Sequence, residues 1–288
     1  MRIALIGVGM IGGSLVAAWR RAGLLEAVAG YDVEHQALAA ASERGLIDRA
    51  ASSLAQAVAD ADLVLVATPV GAMREVFGQL APALPAGAMV TDVGSTKADV
   101  LAHARQALGA AFPRFVAAHP IAGKELPGVQ HADADLFIGK RVIVTPAAET
   151  SAEALERVEG LYGRIGAAVE RMDAAEHDRI FAAVSHLPHL LAFALVAAIG
   201  SEAGGEKKLG YGGAGFRDFT RIAASSPVMW RDVCVANRIA LGEELRGYRM
   251  LLERLQQAID DGDAATLQRT FEQAARLRRQ WAGAADAQ

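Results

Sequence analysis

The chain has 288 residues, is 52% hydrophobic and carries a formal net charge of −4. This length predicts two domains with enough apolar residues for a sizeable core, and the slight acidity supplies no basic face for nucleic acid. A single cysteine, Cys234, excludes an internal disulfide and a cysteine-rich zinc cage.

The N-terminus reads "MRIALIGVG", with no charged leader ahead of an apolar stretch and a small-residue cleavage site, so no secretory signal is expected. The most apolar later run, "LLAFALVAAIG" (190–200), is shorter than the about 20 residues a bilayer crossing needs, and is expected as a buried core or interface helix. These features predict a soluble cytoplasmic protein with no membrane partner.

In chain order, "RIALIGV" (2–8), "AVAGYD" (27–32), "DLVLVATP" (62–69), "AMVTDVG" (88–94), "RFVAAH" (114–119) and "RVIVTP" (141–146) are short apolar runs, as strands buried on both faces should be. Helix-like segments such as "SLVAAWRRAG", "AMREVFGQLAPAL" and "KADVLAHARQAL" lie between most of them. The alternation predicts an α/β fold with a doubly wound parallel sheet of the Rossmann type. After "AAVERMD" (167–173) the strands stop and the chain reads as helix, so the domains are expected as 1–170 and an all-α 171–288. Leu241, Leu245, Tyr248, Leu252, Leu255 and Ile259 form a helical stripe. Asp261-Gly262-Asp263 breaks it, a further helix runs to about Trp281, and the tail "AGAADAQ" is expected to fray.

The first loop, "GVGMIGGS" (7–14), places Gly7, Gly9 and Gly12 in G-x-G-x-x-G spacing between a strand and a predicted helix. Gly7 makes the tight turn, Gly9 lets a pyrophosphate approach the backbone beside Ile11, and Gly12 lets helix and strand pack closely. Asp32 ends the second strand, 20 residues after Gly12. An acid there accepts hydrogen bonds from ribose hydroxyls and repels a 2′-phosphate, and Val33 and Glu34 bring no compensating arginine, which favours NAD over NADP. The competing reading is a glycine turn with a helix-capping acid and no nucleotide. "ATPVGAM" (67–73) brings Thr68 and Pro69 to the flank of the same crevice.

In "DVGSTK" (92–97), Ser95 can reach a substrate hydroxyl from the carboxyl end of the sheet. The bland alternative is a turn, with Thr96 and Asp99 as a capping box. "FVAAHPIAGKE" (115–125) ends a strand on His119, whose neutral imidazole suits removal of a hydroxyl proton. "SHLPHLLAF" (185–193) supplies His186 and His189 on one helical face, with Pro188 kinking or starting a helix; no clear carboxylate completes a metal site, so no metal is expected. In "GFRDFTRIAASSPVMWRD" (215–232), arginines stand among Phe216, Phe219 and Trp230. Surface ion pairs explain some of them, and a bidentate grip on an anionic substrate asks for one.

"GVGMIGGS", "DVGSTK", "HPIAGKE", "SHLPH" and "FRDFTRIAASSPVMWRD", in this order, resemble the prephenate dehydrogenase family of tyrosine biosynthesis, from residue 2 to about 280. The resemblance implies NAD-dependent oxidative decarboxylation of prephenate to 4-hydroxyphenylpyruvate, and a homodimer formed by the helical domain. It also implies His119 as the catalytic histidine, Ser95 as its neighbour at the ring hydroxyl, and Arg221 as the holder of a substrate carboxylate. Asp218 and Glu125 become gating or pairing acids, His189 the second pocket histidine, and Trp230 its neighbouring aromatic. Lys124 departs from the family's common threonine. No mutase or regulatory appendage is expected, so any tyrosine feedback would act at the active site.

Three rival readings stay open. One is an arogenate-preferring or dual-specificity cyclohexadienyl dehydrogenase. The second is another two-domain hydroxyacid dehydrogenase, whose catalytic lysine would be Lys207 or Lys208 in a glycine-rich stretch read as loop. The third is a non-catalytic NAD-binding sensor, which would have no use for His119 and Arg221 together.

Overall fold

A computed structural model describes residues 1–123 and 128–285. The chain divides into two compact units, Met1–Arg238 and Ile239–Gln288.

The first unit opens with β1 (Arg2–Ile6), α1 (Met10–Arg21), β2 (Ala27–Tyr31), α2 (His35–Glu43), β3 (Arg49–Ala50), α3 (Leu54–Val58) and β4 (Leu63–Val66). It continues through α4 (Val70–Leu80), β5 (Met89–Asp92), α5 (Ala98–Leu108) and β6 (Phe115–Val116). These six strands form one parallel sheet in the order β3-β2-β1-β4-β5-β6. Residues of β1, β4 and β5 from Ile3 onward are buried on both faces, which is why they read as continuous apolar runs rather than alternating ones. One apolar layer gathers Leu5, Leu15, Trp19 and Leu65; the opposite layer gathers Val64, Val66, Phe77 and Phe115. The sheet order reverses at β1/β4, so the loops after those strands flank the crevice where ligands collect.

The run at 114–119, expected as one strand, is two. After β6 the chain breaks at Ala117 and re-forms as β7 (Ala118–Pro120), which pairs antiparallel with β8 (Arg141–Val144). Then α6 (Ala152–Gly163) leads to β9 (Ala168–Arg171), parallel to β8. His119 therefore stands on a small second sheet, β7-β8-β9, opposite Ile143. Asp92 makes the break possible: the N–H of Ala118, released from the large sheet, donates to its carboxylate at 3.1 Å.

The strands end at Arg171, and the helices that follow to Arg238 belong to the same compact unit as the sheet. Asp173 caps α7 (Ala174–Phe181) by accepting from the N–H groups of Ala175 and Glu176. The chain continues without interruption through a π-helical turn, Ala182–His186, into α8 (Leu187–Ser201). Pro188 has no N–H to continue an α-helical ladder, and the wider π turn absorbs the mismatch. The apolar run at 190–200 is thus the end of a 28-residue helical stretch, Ala174–Ser201, long and apolar enough by length and composition to cross a membrane. That corrects the expectation that it is too short. Its first third is nevertheless tied to the sheet by polar groups described below, and only Leu187 and Ala192 of α8 are buried within the single chain.

The stretch around Lys207 and Lys208 is helical, not loop: Gly204, at φ +79°, starts α9 (Gly205–Gly210), and Lys208 pairs with Glu202. α10 (Ala214–Thr220) and α11 (Pro227–Ala236) follow.

The second unit is a pair of helices. α12 (Arg238–Asp260), which begins at the last residue of the first unit, and α13 (Ala264–Ala285) are separated at Gly262, φ +66°. Of the stripe read from the sequence, Leu241 is buried, whereas Leu245, Leu252 and Ile259 are exposed in the single chain, as are Phe271 and Trp281. The last tail residues, 286–288, lie outside the described residues.

Candidate active site

The glycine loop joins β1 to α1. Gly7 has φ +90°, and a Cβ there would lie 2.7 Å from the Ala67 carbonyl. A Cβ on Gly12 would meet Leu5 at 2.7 Å and Ala67 at 2.9 Å, so only glycine lets the helix approach the sheet this closely. A Cβ on Gly9 would meet nothing within 4 Å. Gly9 is also the N-cap of α1, where no side chain caps the first N–H groups. An anion resting on that backbone satisfies these donors, and any side chain at Gly9 would occupy its place.

Asp32 holds the loop: its carboxylate accepts from the N–H of Val8 at 2.6 Å and of Glu34 at 2.9 Å. Its remaining lone pairs suit ribose hydroxyls. Ile11 is partly exposed on the first turn of α1, and Pro69 caps α4 in extended conformation. The Thr68 hydroxyl is buried without a hydrogen-bond partner in the protein, beside Gly7. These groups fit a dinucleotide.

On the same rim, Asp92 at the end of β5 and Lys97 just beyond it form a fully buried ion pair at 2.5 Å. Burial pushes the Asp92 carboxyl up from its ordinary value; Lys97 and the N–H groups of Gly94 and Ala118 pull against that. Lys97 Nζ also donates to the Ala118 carbonyl at 2.7 Å, one residue before His119. Ser95, between them in sequence, is partly exposed.

His119 Nδ1 lies 2.8 Å from His177 Nε2, and His177 Nδ1 donates to Asp178 Oδ1 at 2.8 Å. Phe181 packs against both rings, with centroids 4.9 and 4.5 Å away. Burial, then the neighbouring His177, Lys97 and His186, hold the His119 imidazole well below its ordinary value, so it is neutral and ready to accept a proton. Burial also lowers His177, against the pull of Asp178. Burial pushes Asp178 up, but bonds from His177 and from the N–H groups of Ala98 and Lys97 outweigh it and keep the carboxyl below its usual range.

Those last bonds replace the capping box of Thr96 and Asp99 that stood as the alternative to a role for Ser95. The N-cap of α5 is Lys97, and the end is closed from a distance: Asp178 accepts from Lys97 N at 2.8 Å and Ala98 N at 2.9 Å. Thr96 is buried with its hydroxyl unpartnered.

The two histidines of "SHLPH" separate. His186 is buried, and its Nδ1 accepts from Asn237 Nδ2 at 3.0 Å, the same amide that donates to the Asp178 carbonyl at 2.7 Å. Burial pushes His186 down to about 4, with Asp178 and the Ser95 backbone opposing. His189 is partly exposed; its Nδ1 donates to the Ser185 carbonyl and its ring stacks on Trp230, centroids 3.6 Å apart at 19°. Burial lowers His189, and the nearby Arg221 lowers it further. Arg221 and Asp218 are exposed, and Glu125 and Lys124 lie outside the described residues.

The first unit therefore carries the glycine loop, His119 with His177 and Asp178, and the His189–Trp230 stack with Arg221 nearby. Sequence reasoning missed Lys97, His177, Asp178 and Asn237. The adjacent His-Asp pair in "AAEHDRIF", just after the last strand, was the available signal.

Comparison with known proteins places the chain in a family. Residues 15–171 match the family description "Prephenate dehydrogenase, nucleotide-binding domain", and residues 173–273 match "Prephenate dehydrogenase, dimerization domain". Cyclohexadienyl dehydrogenase of Zymomonas mobilis is 35% identical over 96% of this chain and 94% of its own length. Prephenate dehydrogenase of Bacillus subtilis is 34% identical over 94% of this chain and 74% of its own. The solved structure of prephenate dehydrogenase from A. aeolicus in complex with hydroxyphenyl propionate and NAD+ superposes with a TM-score of 0.91 at 35% identity, covering 97% of this chain and 98% of that one. With family matches that together run from residue 15 to residue 273 and relatives alike over nearly its whole length, the chain belongs to the prephenate dehydrogenase family.

Proposed function

We propose that this dehydrogenase catalyses the NAD-dependent oxidative decarboxylation of prephenate to 4-hydroxyphenylpyruvate, a step of tyrosine biosynthesis. The observation that carries the reading is the neutral His119 imidazole, which is bonded to His177 and stands on the small sheet that continues the chain from the end of β6. NAD, when bound, supplies the hydride acceptor. Gly9 leaves its pyrophosphate room on the α1 N–H groups, and Asp32 takes the ribose hydroxyls. His119 accepts the proton of the substrate's ring hydroxyl and returns it to the phenolate oxygen once the ring carboxylate has left as carbon dioxide. Ser95 bonds the same hydroxyl. Aromatisation makes the reaction strongly downhill, so the protein's task is mainly to orient the reactants.

Arg221 grips a substrate carboxylate beside the His189–Trp230 stack, with Asp218 and Glu125 as gating or pairing acids. Arg221→Ala is expected to raise KM by about 10–100-fold with kcat little changed, the effect of one charge-assisted carboxylate contact. A KM within twofold of the parent would move the anion site elsewhere.

The cyclohexadienyl dehydrogenase relative favours a second reading, dual use of prephenate and arogenate. Steady-state rates with each substrate, and with NAD and NADP, test both. The proposal expects turnover of prephenate with NAD; NAD binding without turnover of either substrate would leave a sensor.

The same reading divides the chain functionally near residue 170, with 1–170 for the nucleotide and 171–288 for substrate and dimerisation. A homodimer is supported by the exposed apolar side chains of Leu195, Val235, Ile239, Met250, Ile259 and Phe271, more than a lone chain leaves open to water. A cytoplasmic location, with no nucleic-acid or membrane partner, is supported by the slight negative charge and by the free thiol of Cys234.

A further inference from the structure

We propose that Asp178 is a positioning residue for this reaction: through His177 it fixes His119 as the Nδ1–H tautomer, leaving Nε2 to accept the proton, and through the backbone of Lys97 and Ala98 it holds the Ser95 turn beside the same imidazole. The inference rests on the function proposed above for its kinetic consequences, and on geometry together with the neutrality of the buried His177 ring for the tautomer.

An ionised carboxylate only accepts hydrogen bonds. Asp178 Oδ1 accepts from His177 Nδ1 and from Lys97 N, both at 2.8 Å, and Oδ2 accepts from Ala98 N at 2.9 Å. His177 must therefore carry its proton on Nδ1. Its ring is fully buried and neutral, so Nε2 bears a lone pair. The 2.8 Å contact between that nitrogen and His119 Nδ1 then requires the proton to sit on His119. His119 Nε2 is left as the acceptor. When the hydroxyl O–H breaks and an Nε2–H forms, the resulting imidazolium keeps its Nδ1–H bond to His177, and the Asp178 charge lies at the end of the chain. The logic is that of an acid orienting a catalytic imidazole, extended by one ring.

Asp178 also ties together the groups on either side of the site. Its carboxylate closes the N-terminus of α5, just after the Ser95 turn. Its carbonyl holds Asn237, whose amide also fixes His186. Among the described residues the titratable groups around His119 are His177 and Asp178 of α7, His186 of the π turn, Lys97 before α5 and Asp92 of β5.

The test is Asp178→Asn in the full chain. An asparagine turned so that its carbonyl takes the adjacent N–H groups of Lys97 and Ala98 presents its NH2 to His177 Nδ1, which moves the His177 proton to Nε2 and the His119 proton to Nε2 as well. kcat is expected to fall about 10²-fold, less than the roughly 10⁴ of a directly paired acid, with KM for both substrates within about twofold. The acid limb of kcat moves to lower pH, because removing a negative charge disfavours the imidazolium; a merely structural loss would leave that limb in place. Independently of any substrate, the ¹⁵N shifts of the His119 ring at pH 8 should report Nδ1–H in the parent and Nε2–H in the variant. An Nε2–H signal in the parent, or an unchanged tautomer and kcat in the variant, overturns the proposal. If the parent turns over neither prephenate nor arogenate, the functional reading falls and the ¹⁵N shifts still decide the positioning role. Should Asp178→Asn not fold, His177→Gln breaks the chain while leaving the α5 cap; a kcat within about threefold of the parent would then end the case.

Discussion

His119→Asn is expected to lower kcat about 10³-fold while KM stays within about threefold. Asparagine approximates the reach of Nδ1 and can still bond His177, so the pocket around it survives. A carboxamide cannot take a proton, so the step that needs an acceptor does not. The environment makes the imidazole available: burial, with Lys97 and two further histidines alongside, keeps His119 neutral well into the acidic range. The activity of the parent should therefore hold as pH falls through the ordinary histidine value, and the acid limb of kcat/KM should lie below about 6.5. A low value also makes a weaker base, which a strongly downhill aromatisation tolerates. Steady-state rates for both proteins from roughly pH 4 to 9 check this, the acid side being where a lowered histidine shows itself. A kcat that survives the substitution assigns the proton to another group.

What the sequence made legible was local. The glycine loop works within a dozen residues, and each glycine has the role its spacing predicts: a turn at Gly7, open backbone at Gly9 and close packing at Gly12. The six-stranded sheet follows from apolar runs that bury both faces. Less legible was anything made by residues distant in the chain. His119 meets His177 across 58 residues, and α5 is closed by a carboxylate 81 residues beyond Lys97, whereas the capping box of Thr96 and Asp99 offered as the alternative is purely local. The split of 114–119 into two sheets depends on Asp92 receiving the N–H of Ala118, which no periodicity encodes. The separate fates of His186 and His189 depend on Asn237 and Trp230, both brought in by α11 and its end. Lys97 was in plain view as the last letter of "DVGSTK", but a lysine at a strand end reads as solvated until the fold buries it.

That burial sets the largest expected effect on stability. Lys97→Met keeps the length of the side chain and removes its charge, leaving Asp92 with the N–H groups of Gly94 and Ala118 but no counter-ion, and leaving the Ala118 carbonyl without its donor. Breaking a buried pair from one side costs about 3–5 kcal/mol, since the remaining charge has neither water nor partner. Neutralising both sides in Asp92→Asn/Lys97→Met removes the stranded charge, so the double variant should be more stable than Lys97→Met alone. The sign with pH follows from Asp92: burial already raises its carboxyl, and loss of Lys97 raises it further. A folded-state value above the unfolded one favours the folded form at low pH and costs stability as pH rises between the two, so the deficit of the single variant should shrink on acidification. Urea unfolding at pH 7 and pH 5 of the parent, single and double variants measures each of these differences. A single variant within about 1 kcal/mol of the parent at pH 7, or a double variant no better than the single, would show that the pair is not the clamp between β5 and the strand that carries His119.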